Sequence, residues 1–102
     1  MNHKPITIKQ LEKIMSQKTG LFDVNSDDFI KYKFSIDLLC SCVLFDKDMN
    51  DKSKYLGMIL VCQSGELQIA SNTIEVIFLN DDGTITLVFN TDLPELIIKY
   101  RE

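Results

Sequence analysis

The chain has 102 residues, 45% of them apolar, which is enough for one hydrophobic core and predicts a single domain over 1–102. Asp and Glu outnumber Lys and Arg by 15 to 11, for a formal charge of -4; a nucleic-acid binder needs the opposite balance to neutralise phosphates. No apolar run approaches the roughly 18 residues of a membrane span, and Met1-Asn2-His3-Lys4-Pro5 is not followed by a leader-like apolar segment, so a cytoplasmic protein is expected.

Residues 7–18 read as a helix. Thr7 and Gln10 have the spacing of a capping box. Ile8, Leu11, Ile14 and Met15 form one apolar stripe, and Gly20 follows as a stop. From Ile30 the period changes to two. Ile30, Tyr32, Phe34, Ile36 and Leu38 point one way and Lys31, Lys33, Ser35 and Asp37 the other, which predicts a half-solvated strand. Continued without a break, this alternation places Cys40 and Cys42 on the core face and Leu39, Val43 and Phe45 on an apolar outer side. Residues 46–54 form a polar loop. A second strand covers 55–63, and Ser64-Gly65 turns it into a third over 66–71. Residues 73–79 and 84–89 form a hairpin closed by Asn80-Asp81-Asp82-Gly83. The β-branched pair Ile97-Ile98 favours a last, edge strand over 96–100, with a short helix opened by Asp92 and Pro94 as the alternative for 93–101. The expected fold is α+β, with the N-terminal helix packed on a curved antiparallel sheet of five to six strands in a meander. Cystatin-like and NTF2-like folds are similar in plan.

The residues that carry chemistry are sparse. The single histidine, His3, is far in sequence from Cys40, Cys42 and Cys62, so no thiol–imidazole pair is expected. Three cysteines, each within an apolar run, read as buried thiols in a reducing compartment. A C-x-C pair without a second pair is not a zinc pattern. Asp46-x-Asp48-x-Asn50 starts like a calcium loop, but its sixth position is Asp51 where glycine is needed and its twelfth is Gly57 where a bidentate Glu is needed. The glycines are isolated, which leaves no phosphate-binding loop. The sequence therefore predicts no enzyme, no metal and no cofactor.

Charge is distributed unevenly. Residues 1–54 carry nine basic and eight acidic side chains, net +1; residues 55–102 carry two basic and seven acidic, net -5. A field of one sign steers partners of the other. The expected partner is a basic protein, with no role for nucleic acid or membrane. The candidate binding residues are Asp46, Asp48, Asp51, Glu75, Asp81 and Asp82, with Tyr55 and Tyr100 as aromatic anchors. This pattern points to an immunity or inhibitor protein that neutralises a basic bacterial toxin of nuclease type by covering its active site. The alternatives are a homodimeric structural or scaffold domain, joined around Leu39, Val43 and Phe45, and a small-ligand-binding domain of cystatin-like or NTF2-like plan.

Overall fold

Among the described residues the chain forms one α-helix, one short 3₁₀ turn and eight strands. The computed structural model describes residues 3–26 and 35–101. Strand β1 (His3–Ile6) is followed by helix α1 (Ile8–Ser16), β2 (Phe22–Asn25), β3 (Asp37–Lys47), β4 (Tyr55–Cys62) and β5 (Gly65–Ala70). A 3₁₀ turn, Ser71–Thr73, leads to β6 (Ile74–Asn80), β7 (Ile85–Phe89) and β8 (Leu96–Tyr100).

All pairs are antiparallel, in the order β1-β6-β7-β8-β2-β3-β4-β5. Two meanders, β2 to β5 and β6 to β8, are thus joined side by side through β8 and β2. The sheet is open but must be rolled. Strands β6 and β5 are six spacings apart, roughly 29 Å if the sheet were flat. The connection between them is only Ser71–Thr73, which spans at most about 14 Å.

Helix α1 lies on the inner face. Thr7 Oγ1 accepts the Gln10 N–H at 3.1 Å, and Gln10 Oε1 accepts the Thr7 N–H at 2.8 Å, so the capping box forms as its spacing predicts. Leu11 and Met15 enter a core that includes Phe22, Val24, Cys40, Met58, Leu60, Ile77, Ile85, Leu87, Leu96 and Ile98.

The described strands outnumber the five to six expected. Strands β1 and β2, four residues each, were too short to stand out by period. Pro5 in β1 is tolerated because β1 is an edge. Strand 96–100 forms, but it is central, paired on both sides, and not the edge strand expected. The expected strand over 30–38 lies outside the described residues at 30–34; β3 begins at Asp37.

The phase of β3 also differs from the sequence expectation. Cys40 pairs with Cys62, but Cys42 pairs with Val61, so Ser41 is an extra residue. A bulge of this kind flips every later side chain. Cys42 is consequently exposed, and Val43 and Phe45 turn inward against the core. The apolar outer side expected around Val43 and Phe45 is not there; of that trio only Leu39 is exposed.

Candidate partner-binding surface

The hairpin β3–β4 carries the first three candidate acids. Asp46 is exposed at the end of β3 opposite Gly57. Beyond it the loop is held by its own bonds. Asp48 N–H donates to Lys54 O at 2.9 Å, and Lys54 N–H donates to Asp51 O at 3.0 Å. Asp48 Oδ1 accepts the Asn50 N–H at 2.8 Å. Asp51 Oδ1 accepts the Ser53 N–H at 3.1 Å and the Ser53 hydroxyl at 2.5 Å. The hydroxyl and amide of Ser53 hold the Asp51 carboxyl below its ordinary value. Both carboxylates are thereby fixed in direction.

Exposed apolar side chains share this hairpin with the acids. A second register shift, between Asp46 and Lys47, leaves Leu56 as an extra residue on β4. Leu44 is 53% exposed, Met49 87% and Leu56 44%. Three of the six large apolar side chains exposed among the described residues therefore lie on this one hairpin. Beside them, over Gly57, runs an open groove of about 340 Å³ whose walls include Asp46, Leu56, Ile59 and Gln68. Sequence reasoning missed Leu44 because the uninterrupted alternation sent it inward. Met49, an apolar residue within a polar loop, was a visible signal.

The other candidates occupy different depressions. Asp82 Oδ1 accepts the Thr84 N–H at 3.0 Å and the Thr84 hydroxyl at 2.6 Å, which lowers the Asp82 carboxyl from its ordinary value. Asp82 lines a wide groove of about 790 Å³ together with Lys18, Asp23, Lys99 and Arg101. Its acid therefore faces cations of the same chain. Arg101 grips Asp23 with two bonds, of 3.0 and 2.9 Å, and holds the Asp23 carboxyl below its ordinary value. Asp81 is exposed in the same turn. Glu75 is exposed on β6, beside a depression that includes Ile6, Ile8 and Ser71.

The two tyrosines point to the α1 side. The Tyr55 hydroxyl donates to Glu12 of α1, and Lys47 Nζ lies 3.0 Å from the same carboxylate. Tyr100 packs on Phe22 with ring centroids 4.9 Å apart, and Lys18 Nζ sits 5.5 Å above its ring. Tyr55 thus ties α1 to the sheet, while Tyr100 packs on β2 beneath Lys18 of the α1–β2 connection.

His3 stacks edge-on against Phe78, centroids 4.4 Å apart, on an edge of the sheet separated from β3 by four strands. Among the described residues no group of three or more His, Cys, Asp or Glu side chains is placed to hold a metal ion. An apolar slot between β5 and the β7–β8 connection, lined by Ile36, Leu67, Phe89 and Leu93, has a volume of about 170 Å³, below the roughly 300–1,000 Å³ of small-molecule pockets. No described helix is long and apolar enough to cross a membrane. No family model, no curated protein and no solved structure matches the chain.

Proposed function

We propose that this is an acidic protein-binding module, an immunity-type inhibitor that docks on a basic toxin of nuclease type and covers its active site. The observation that carries the proposal is the β3–β4 hairpin, which bears exposed Leu44, Met49 and Leu56 together with Asp46, Asp48 and Asp51. A tight interface needs apolar groups that lose water at its centre and charges that orient the partner around it. The self-bonded loop supplies both without ordering on contact, so less conformational entropy is lost on binding. Lys47, Lys52 and Lys54 alternate with these acids, and the Glu12 carboxylate pairs with Lys47. The net negative charge that draws in a basic partner therefore comes from the molecule as a whole, and above all from residues 55–102, net -5.

The test is affinity capture from the native host with the parent protein and a Met49→Ser/Asp46→Lys variant. Asp46 accepts none of the loop's bonds among the described residues, so the variant leaves the loop intact. The parent is expected to retain a basic protein at low salt and release it as salt rises. The variant should retain at least tenfold less. The captured protein is then assayed for cleavage of DNA or RNA with and without one equivalent of the parent. An acidic partner, salt-independent retention, equal retention by the variant or unaffected cleavage would each overturn the proposal.

A further inference from the structure

Two thiols face each other across β3 and β4. Cys40 and Cys62 are Cα partners in the ladder. The β4–β5 turn fixes the phase of that pair. Cys62 and Gly65 close a two-residue loop, so the backbone groups of Cys62 bond toward β5 and the pair with Cys40 is a non-hydrogen-bonded one. Such pairs bring their Cα atoms to about 4.5 Å with side chains close together, within the roughly 4.4–6.8 Å range of a disulfide. Cys40 is buried; Cys62 is half-buried at the strand end and packs against the same core. The Cys62 thiol donates to Gly65 O at 3.3 Å and lies 3.7 Å from Ser64 Oγ, at the exposed turn. Cys42, turned to the other face by the bulge at Ser41, is exposed and outside this pair.

We infer that Cys62 and Cys40 form a thiol–disulfide exchange pair whose substrate is a low-molecular-weight disulfide, RSSR. Cys62 loses its proton and attacks one sulfur of RSSR, forming a mixed disulfide and releasing RS⁻. Cys40 then loses its proton and attacks the Cys62 sulfur, which forms the Cys40–Cys62 bond and releases a second RS⁻. The two protons leave with the two released thiolates as RSH. Two protein thiols are oxidised and one external disulfide is reduced.

The order of attack follows from position. Burial pushes the Cys40 thiol up to about 11, with Cys62 and Asp23 adding to the effect, which makes Cys40 a poor first nucleophile. As the second nucleophile it attacks a sulfur held directly opposite, where proximity compensates for a small thiolate fraction.

The chain has three cysteines, so in a Cys42→Ser protein only this pair remains. That protein is incubated folded with oxidised glutathione, quenched in acid and weighed intact. The expected product is a monomer lighter by two hydrogens with no glutathione attached. In Cys42→Ser/Cys40→Ala, glutathione should remain on Cys62, and the adduct should decay at least tenfold more slowly than in the protein that keeps Cys40. Circular dichroism checks that each is folded; Cys42→Ser/Cys40→Val replaces the alanine variant if that one is not. A stable glutathione adduct in Cys42→Ser overturns the inference, as does a dimer linked between chains. So does an unchanged mass under conditions in which Cys42 of the parent is fully modified.

Discussion

A Cβ at position 57 would lie 2.5 Å from the carbonyl oxygen of Ile69 and 3.3 Å from the Ala70 Cα, both backbone atoms of the neighbouring strand. The requirement for glycine here comes from close approach, and β5 cannot yield without breaking its ladder with β4. Gly57→Ala is expected to cost about 2–3 kcal/mol in urea unfolding. At Gly83 the space is open but φ is +85°, and Gly83→Ala is expected to cost only about 1–2 kcal/mol, from the left-handed backbone alone. Equal losses would place the strain in the wrong residue. The sequence gives Gly57 no special mark, because an approach between strands depends on their local twist. The three thiols make the same point. The run Leu38-Leu39-Cys40-Ser41-Cys42-Val43-Leu44-Phe45 is apolar in either phase, so the bulge at Ser41 leaves no break in the pattern. Exposure and burial now order the reactivity toward iodoacetamide. Cys42 should alkylate first, Cys62 more slowly, and Cys40 only on unfolding. Modification of Cys40 ahead of Cys42 in the native protein would contradict the bulge.

Helix α1 was the most legible element, and the reason is local. A capping box and an i, i+3, i+4 stripe involve neighbours in sequence, and each feature forms as its spacing predicts. Thr7→Ala is expected to cost about 1 kcal/mol. What ties α1 to the sheet was not legible, because Glu12 and Tyr55 are 43 residues apart. The bond from the Tyr55 hydroxyl, reinforced by Lys47, keeps the Glu12 carboxyl below its ordinary value of 4.5. The same carboxylate raises Lys47 above 10.5 and Tyr55 above 10.0. The signs give two limits. The contribution of Glu12 is complete above pH 4.5 and is lost as the pH falls through its lowered folded value. The contributions of Tyr55 and Lys47 are complete below 10.0 and 10.5 and are lost as the pH rises through their raised folded values. Tyr55→Phe should therefore lower the melting temperature between these limits, and the difference from the parent should shrink beyond either one. A difference that persists unchanged into strong acid would show that the Tyr55 hydroxyl does not act through the ionised Glu12 carboxylate.

At the scale of the whole molecule, sequence order and sheet order diverge. Hairpins were legible because a turn and two alternating runs lie together, as at Asn80-Asp81-Asp82-Gly83, where Gly83 N–H donates to Asn80 O at 2.9 Å. The join between the two meanders was not. β8 pairs with β2 across more than seventy residues of chain, and a pairing of that range leaves no local trace. Leu96-Ile97-Ile98 could be read as an edge strand because a run of apolar residues does not say how many neighbours it has. The pairing also dictates where the β3–β4 hairpin goes: β3 and β4 extend past the end of β2, so the tip with Asp48, Met49 and Asp51 projects beyond the part of the sheet shared with β8. Amide hydrogen exchange tests the arrangement directly. β8 has partners on both sides, and its Leu96 and Ile98 are buried. β1 is a four-residue edge with exposed His3, Lys4 and Pro5. Exchange should be slowest at the amides of Leu96, Ile97 and Ile98 and close to that of global unfolding. In β1 it should be faster by two or more orders of magnitude, about 3 kcal/mol less protection, because opening an edge exposes little apolar surface. Cys42, Val43 and Leu44 should fall between these limits, since the bulge interrupts their ladder with β4. If β8 exchanges as fast as β1, it lies at an edge, the two meanders are not joined through it, and the rolled sheet beneath the hairpin must be abandoned.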